Sequence, residues 1–220
     1  TAAFLATPAF AADVKIGVLL GFTGPIESLT PDMASGAELA MKEASESGAF
    51  MGGSKIISVR GDSTCVDAAA ATATAERLIT ADGVSAIMGA DCSGVTTAVL
   101  QNVALAKGVV MISPSATSPA LSTVEDNGLF FRTSPSDARQ GQVLAEILKE
   151  KGVKSAAISY TNNDYGKGLA ASIQSNFEDL GGKVTISTSH EDGKGDYGAE
   201  VAALAQAGGD LMIKAFLVKS

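Results

Sequence analysis

Tryptophan is absent from the 220-residue chain, histidine occurs once and cysteine twice, and only 18% of residues are charged. Each scarcity excludes a class of chemistry. The single histidine, His190, stands among Ser189, Glu191, Asp192 and Gly193 and reads as part of a polar surface turn, so a nucleophile has no base to activate it. No G-x-S-x-G surrounds any serine, which disfavours an α/β-hydrolase nucleophile. No G-x-x-x-x-G-K-[ST] occurs, and no G-x-G-x-x-G is expected to follow a strand, so phosphate-cradling loops and a cofactor such as a dinucleotide are disfavoured. Two cysteines 27 positions apart, with a remote histidine, match no zinc spacing. Positive charge is also scarce: 16 Lys and Arg against 24 Asp and Glu leave a net charge of −8. That balance argues against nucleic acid and anionic membranes as partners, because both are held by clustered Lys and Arg. No stretch approaches the roughly 20 apolar residues of a spanning helix.

What is present is core material. Hydrophobic residues make up 46% of the chain, with 24 glycines, the composition of a packed protein and not of a disordered one. The length allows one large domain or two small ones. The first charged residue is Asp13, and before it the chain runs through Pro8 into Ala9-Phe10-Ala11. Small residues around Phe10 give the A-x-A pattern of a signal-peptidase site, so residues 1–11 are read as a signal remnant of an exported, periplasmic protein. An apolar N-terminal strand is the alternative, but alanine is poor strand material. Export would place both cysteines in an oxidising compartment.

From Val14 onward, short apolar runs alternate with helical stripes. Strands are expected over 14–20, 55–60, 84–89, 109–112, 130–132, 155–160, 183–187 and 210–218. Helices are expected over 30–48, 67–80, 93–107, 134–151, 164–180 and 197–207, the first with Thr30 as its N-cap and Pro31 behind it. This β-α alternation predicts an α/β fold with parallel sheets covered by helices. Ligands in such sheets bind past the carboxyl ends of the strands, which directs attention to the loops 21–25, 89–94, 113–117 and 161–166. Ser93 opens a helix, where free backbone amides and the positive end of the helix dipole suit a carboxylate. Ser115 and Thr117, on a neighbouring loop, could add neutral hydrogen bonds; taken singly, each such residue is more readily a cap or turn former, and it is their convergence on one sheet edge that favours a site. Cys65 follows the second expected strand and Cys92 the third, so their loops could be adjacent. A bridge between them would close a 27-residue loop, worth roughly 3–4 kcal/mol, and two buried thiols are the alternative.

Several segments in this order resemble one family: Gly24-Pro25 after the first strand, Cys65 with Cys92-Ser93, the run from Met111 to Thr117 with Pro119 soon after, and Asp164-Tyr165-Gly166-Lys167-Gly168-Leu169-Ala170. The chain is similar, from about Val14 to Asp210, to the type I periplasmic solute-binding proteins, in particular the leucine/isoleucine/valine-binding group of amino-acid ABC transporters. The resemblance implies two Rossmann-like lobes, 12–133 and a partial 134–220, that close on an amino acid and dock on a membrane permease. It implies a non-catalytic monomer without cofactor or metal. It also implies a Cys65–Cys92 disulfide and a ligand set of Ser93, Ser115, Ala116 and Thr117 from the first lobe and Tyr165 from the second. Leu29 departs from the pattern, since relatives often place an aromatic there, and with Asp91 in the ligand loop it leaves the side-chain preference open. A ligand-sensing receptor ectodomain of the same fold is the alternative function.

The C-terminal end departs further. Relatives are longer, and a lobe-two acid that fixes the ligand's amino group lies, in them, beyond residue 220. Lys214 falls inside a strand expected to be buried, which suggests a truncation or frameshift near residue 210 and a fragment weak in both stability and binding.

Overall fold

A computed structural model describes residues 12–215; the 1–11 segment read as a signal remnant lies outside them, as does the 216–218 end of the last expected strand. The expected alternation is realised as two parallel sheets. The first takes the order β2-β1-β3-β4-β5 from β1 (Val14–Leu20), β2 (Ile56–Asp62), β3 (Ala86–Gly89), β4 (Val110–Ser113) and β5 (Phe130–Arg132). The second takes the order β7-β6-β8 from β6 (Ser155–Thr161), β7 (Lys183–His190) and β8 (Leu211–Ala215). β1 sits inside its sheet with partners on both sides, Gly17 lying between Val59 and Ile87, which is why its second half, Gly17–Leu20, is buried throughout.

The helices pack both faces of the first sheet. Leu19, Ile87 and Met111 meet α2 (Ala68–Thr80) and the helical run that begins as α3 (Ser93–Val99), through Ala71, Ala75, Leu78, Val95 and Val99. On the other face Val18 and Leu20 meet Ala34 of α1 (Thr30–Glu46). The expected 93–107 helix is continuous, but its middle, Leu100–Ala104, is a π-turn before it ends as α4 (Leu105–Lys107). In the second sheet Ala156, Ile158 and Ile213 meet α5 (Asp137–Glu150) and α6 (Asp164–Asp179) through Ala145, Leu148, Ile173 and Phe177. Helix α7 (Gly198–Ala207) contributes a buried Leu204.

Three expectations are corrected. The cap of α1 is Leu29, without a side-chain bond; the Thr30 hydroxyl instead donates to the Gly21 carbonyl at 3.1 Å, tying the helix to the end of β1. His190 is buried, because β7 runs three residues past its expected end and brings Nδ1 to 2.8 Å from the Ser159 hydroxyl on β6. Lys214 is exposed: among the described residues β8 pairs only with β6, and an edge strand tolerates a lysine.

Candidate functional site

The carboxyl ends of β1, β3, β4 and β6 open on one cleft of about 810 Å³ between the two sheets. The first sheet's side carries Leu29, Met33 and Val66 beside Ser93, Ser115 and Thr117, and the second sheet's side carries Tyr165, Asn162, Asp164 and Asp192. One wall is thus apolar with hydroxyls at its foot, and the opposite wall is polar and acidic.

The foot is held by buried polar groups whose partners are internal. The Asp91 carboxylate accepts from the Gly21 amide at 2.5 Å, from the Ser63 hydroxyl at 2.9 Å and from the Cys92 amide at 2.9 Å, joining the ends of β1, β2 and β3. Asp91 is 2% exposed, at the edge of the cleft it helps to line. The Ser113 hydroxyl donates to the Ala90 carbonyl at 2.5 Å and accepts from the Ala116 amide at 3.0 Å. Arg132 at the end of β5 donates to the Ala116 and Ser118 carbonyls, at 3.2 and 2.8 Å. Burial pulls the basicity of its guanidinium down, and the neighbouring Asp137 charge opposes that. Cys65 and Cys92 form the disulfide, with Cα atoms 5.2 Å apart, and both cysteines line the cleft.

The residues implied by the resemblance separate on inspection. Ser93, Ser115, Thr117 and Tyr165 line the cleft together. Ala116 does not: it is fully buried behind them, its amide spent on Ser113 and its carbonyl on Arg132. Ser93 follows Cys92, the N-cap of α3, so the first-turn amides have no carbonyl one turn earlier to receive them. Its hydroxyl accepts from the Ser118 amide at 3.1 Å. Ser115 donates to the Asp91 carbonyl at 3.0 Å. The Tyr165 phenol is pushed up by burial and then by the charge of Asp137.

Asp137 is the residue that sequence reasoning missed. The sequence places it only near the start of the expected 134–151 helix, whereas in the structure it lines the cleft and accepts from the Thr117 hydroxyl at 2.7 Å. Burial raises its carboxyl above the ordinary range, against the Thr117 bond and the Arg132 charge, which lower it. Its position directly after the cap Ser136 gave no hint, because the contact spans 20 residues. Asn162 and Asp192, also on the cleft, accompany it: Asp192 accepts from Thr161 at 3.2 Å and Asn162 donates to Glu191 at 2.7 Å.

The longer β7 also brings a glycine run, Gly193-Lys194-Gly195-Asp196-Tyr197-Gly198, between a strand and a helix. It has the spacing of a dinucleotide fingerprint but not its mechanics. The Gly198 amide, at the helix entrance where a phosphate would bind, donates to the Asp196 carboxylate at 2.8 Å. Among the described residues no group of His, Cys, Asp and Glu is arranged to hold a metal ion.

The periplasmic binding protein family model matches residues 13–218. The chain belongs to that family. The Leu/Ile/Val-binding protein of Citrobacter freundii is 32% identical over 201 residues, covering 91% of this chain and 53% of its own length. A solved structure of the branched-chain amino acid transporter substrate binding protein LivJ from Streptococcus pneumoniae, in complex with isoleucine, aligns with a TM-score of 0.77 at 28% identity, covering 92% of this chain and 56% of that one. An R. palustris ABC-transporter solute binding protein in complex with 4-hydroxybenzoate has a TM-score of 0.80 at 22% identity, covering 93% and 54%, and shares the fold. The chain spans about half the length of the curated relatives it matches. Those relatives are named as binding proteins and not as enzymes, and among the described residues no helix is long and apolar enough to cross a membrane.

Proposed function

We propose that the chain is part of an exported solute-binding component of an ABC importer, which takes an amino acid between two lobes and presents it to a membrane permease. In this reading residues 12–133 form the first lobe and 134–220 belong to the second, residues 1–11 are the signal remnant, and the protein works as a monomer in the periplasm. The observation that carries it is the division of labour across the cleft: hydroxyls and helix-entrance amides at one foot, apolar side chains above them, and Tyr165 opposite.

The chemistry suits the two ends of an amino acid. Ser93 uses its oxygen as an acceptor from Ser118, which leaves its proton for a ligand carboxylate, next to the unpaired amides of the helix entrance. Thr117 uses its proton on Asp137, which leaves its oxygen as an acceptor for the ligand ammonium, with the Asp137 carboxylate close by. Ser115 would contribute through its backbone, and Ala116 by fixing the turn between the two. Leu29, Met33 and Val66 line the space left for an aliphatic side chain. Contacts made from both lobes exist only when the lobes are together, so ligand shifts the population toward the closed form.

Calorimetry on the full-length protein, unfolded and refolded to strip carried-over ligand, tests this with leucine, isoleucine, valine, threonine and 4-hydroxybenzoate. Saturable one-to-one binding of at least one aliphatic amino acid is expected. Binding of the benzoate alone, or of none of the panel, overturns the reading.

A further inference from the structure

We infer that Gly168 is a positioning residue that sets how closely the two lobes approach, by letting helix α6 lie directly on the Ser118–Pro119 turn. The inference rests on the two-lobe reading above and adds to it a residue outside the cleft.

Gly168 sits in the second turn of α6, where glycine weakens a helix relative to alanine. It does not have the positive φ that requires glycine at other positions of the chain, so its smallness is used for space. A Cβ at this position would lie 2.8 Å from Pro119 Cδ and 3.1 Å from the Ser118 hydroxyl. Neither can step aside easily. Pro119 Cδ is bonded to the backbone and opens the short 3₁₀ turn Pro119–Ser122. Ser118 is 2% exposed, donates its amide to Ser93, and gives its carbonyl to Arg132 and to the Leu121 amide. The turn is therefore fastened to the first sheet's side at several points, and α6 must be the element that moves. A methyl needs about 1 Å more room to reach ordinary carbon–carbon contact distance. The same helix carries Tyr165 into the cleft and brings Asp164 toward α3, where a Cβ on Gly94 would stand 4.0 Å from the Asp164 carboxyl. Lifting α6 off Pro119 thus draws the far wall of the cleft away from Ser93.

The test is an interlobe distance, read by paired spin labels on the exposed positions Lys42→Cys and Lys151→Cys of the full-length protein under non-reducing conditions and without ligand. The mean separation is expected to lengthen in the order Gly168, Gly168→Ala, Gly168→Leu. Adding Pro119→Ala to Gly168→Ala should return it toward the parent value, which a change in helix stability alone would not do. Amino-acid affinity should fall roughly fivefold to a hundredfold in Gly168→Ala, the usual size of a coupling between sites. Superimposable distances in all three proteins, or a double variant no closer to the parent than Gly168→Ala, overturn the inference. A parent protein that binds no amino acid overturns the functional reading instead, and leaves the ligand-free distances to decide the role of Gly168.

Discussion

Thr117 and Asp137 hold each other twice: the Thr117 hydroxyl donates to the Asp137 carboxylate at 2.7 Å, and the Asp137 amide donates to the Thr117 carbonyl at 2.9 Å. Thr117 belongs to the loop after β4 and Asp137 opens α5, so the pair fastens the loop at the end of β4 to the start of that helix.

Removing the hydroxyl while keeping the shape, as in Thr117→Val, leaves a buried carboxylate oxygen without its donor. Denaturant unfolding should show a loss of about 1–3 kcal/mol, with Thr117→Ser losing much less. Equal losses in the two variants would mean that the methyl, not the hydroxyl, matters.

The raised carboxyl of Asp137 makes stability depend on pH. An acid whose folded pKa lies above its unfolded value, 3.8 here, adds stability when protonated; that stability is complete below the unfolded value and fades as pH climbs through the folded one. Asp137→Asn cannot ionise. Its melting temperature should therefore gain on the parent's as pH rises above the unfolded carboxyl's value of 3.8. A difference that stays constant over that range would show that the carboxyl is not perturbed.

Reduction should be costly. The Cys65–Cys92 bridge closes a 27-residue loop, for which chain entropy gives about 3.5 kcal/mol. The Cys65→Ala/Cys92→Ala protein and the reduced parent should both unfold at lower denaturant by that amount; a loss below about 1 kcal/mol would point to residual structure in the unfolded chain.

Gly141 marks the tightest crossing between α5 and α6. A Cβ there would stand 2.2 Å from the Ser172 hydroxyl oxygen and 2.7 Å from its backbone carbon. Gly141→Ala would ordinarily strengthen a helix by up to about 1 kcal/mol. Forcing two packed helices apart costs about 1–3 kcal/mol, so net destabilisation is expected in urea unfolding. A more stable variant would show that α5 can shift freely.

Much of this architecture was legible because it follows from local pattern. Apolar runs such as Val14–Leu20 report on their own neighbourhoods, although the one cap named from the sequence, Thr30, lies a residue inside its helix. The loops at strand ends likewise located Ser93, Ser115, Thr117 and Tyr165 on one cleft. What stayed hidden depends on partners far along the chain. His190 looked like a surface residue from its polar neighbours, yet Ser159, 31 residues earlier, receives it. Lys214 looked misplaced only if β8 were covered on both sides, and sheet order is not written in any one strand. Asp137 was hidden for the same reason, since a helix-entrance aspartate is unremarkable until Thr117 arrives beside it.

The Asp91 knot has a further meaning for how such a cleft could change its ligand. Gly21, Ser63 and Cys92 all converge on that carboxylate, so a substitution there would disturb three strand ends at once. Leu29 and Val66, by contrast, stand 48% and 63% exposed on the cleft wall. A substitution at Leu29 or Val66 would therefore reshape the cleft wall without touching the strand ends that Asp91 joins.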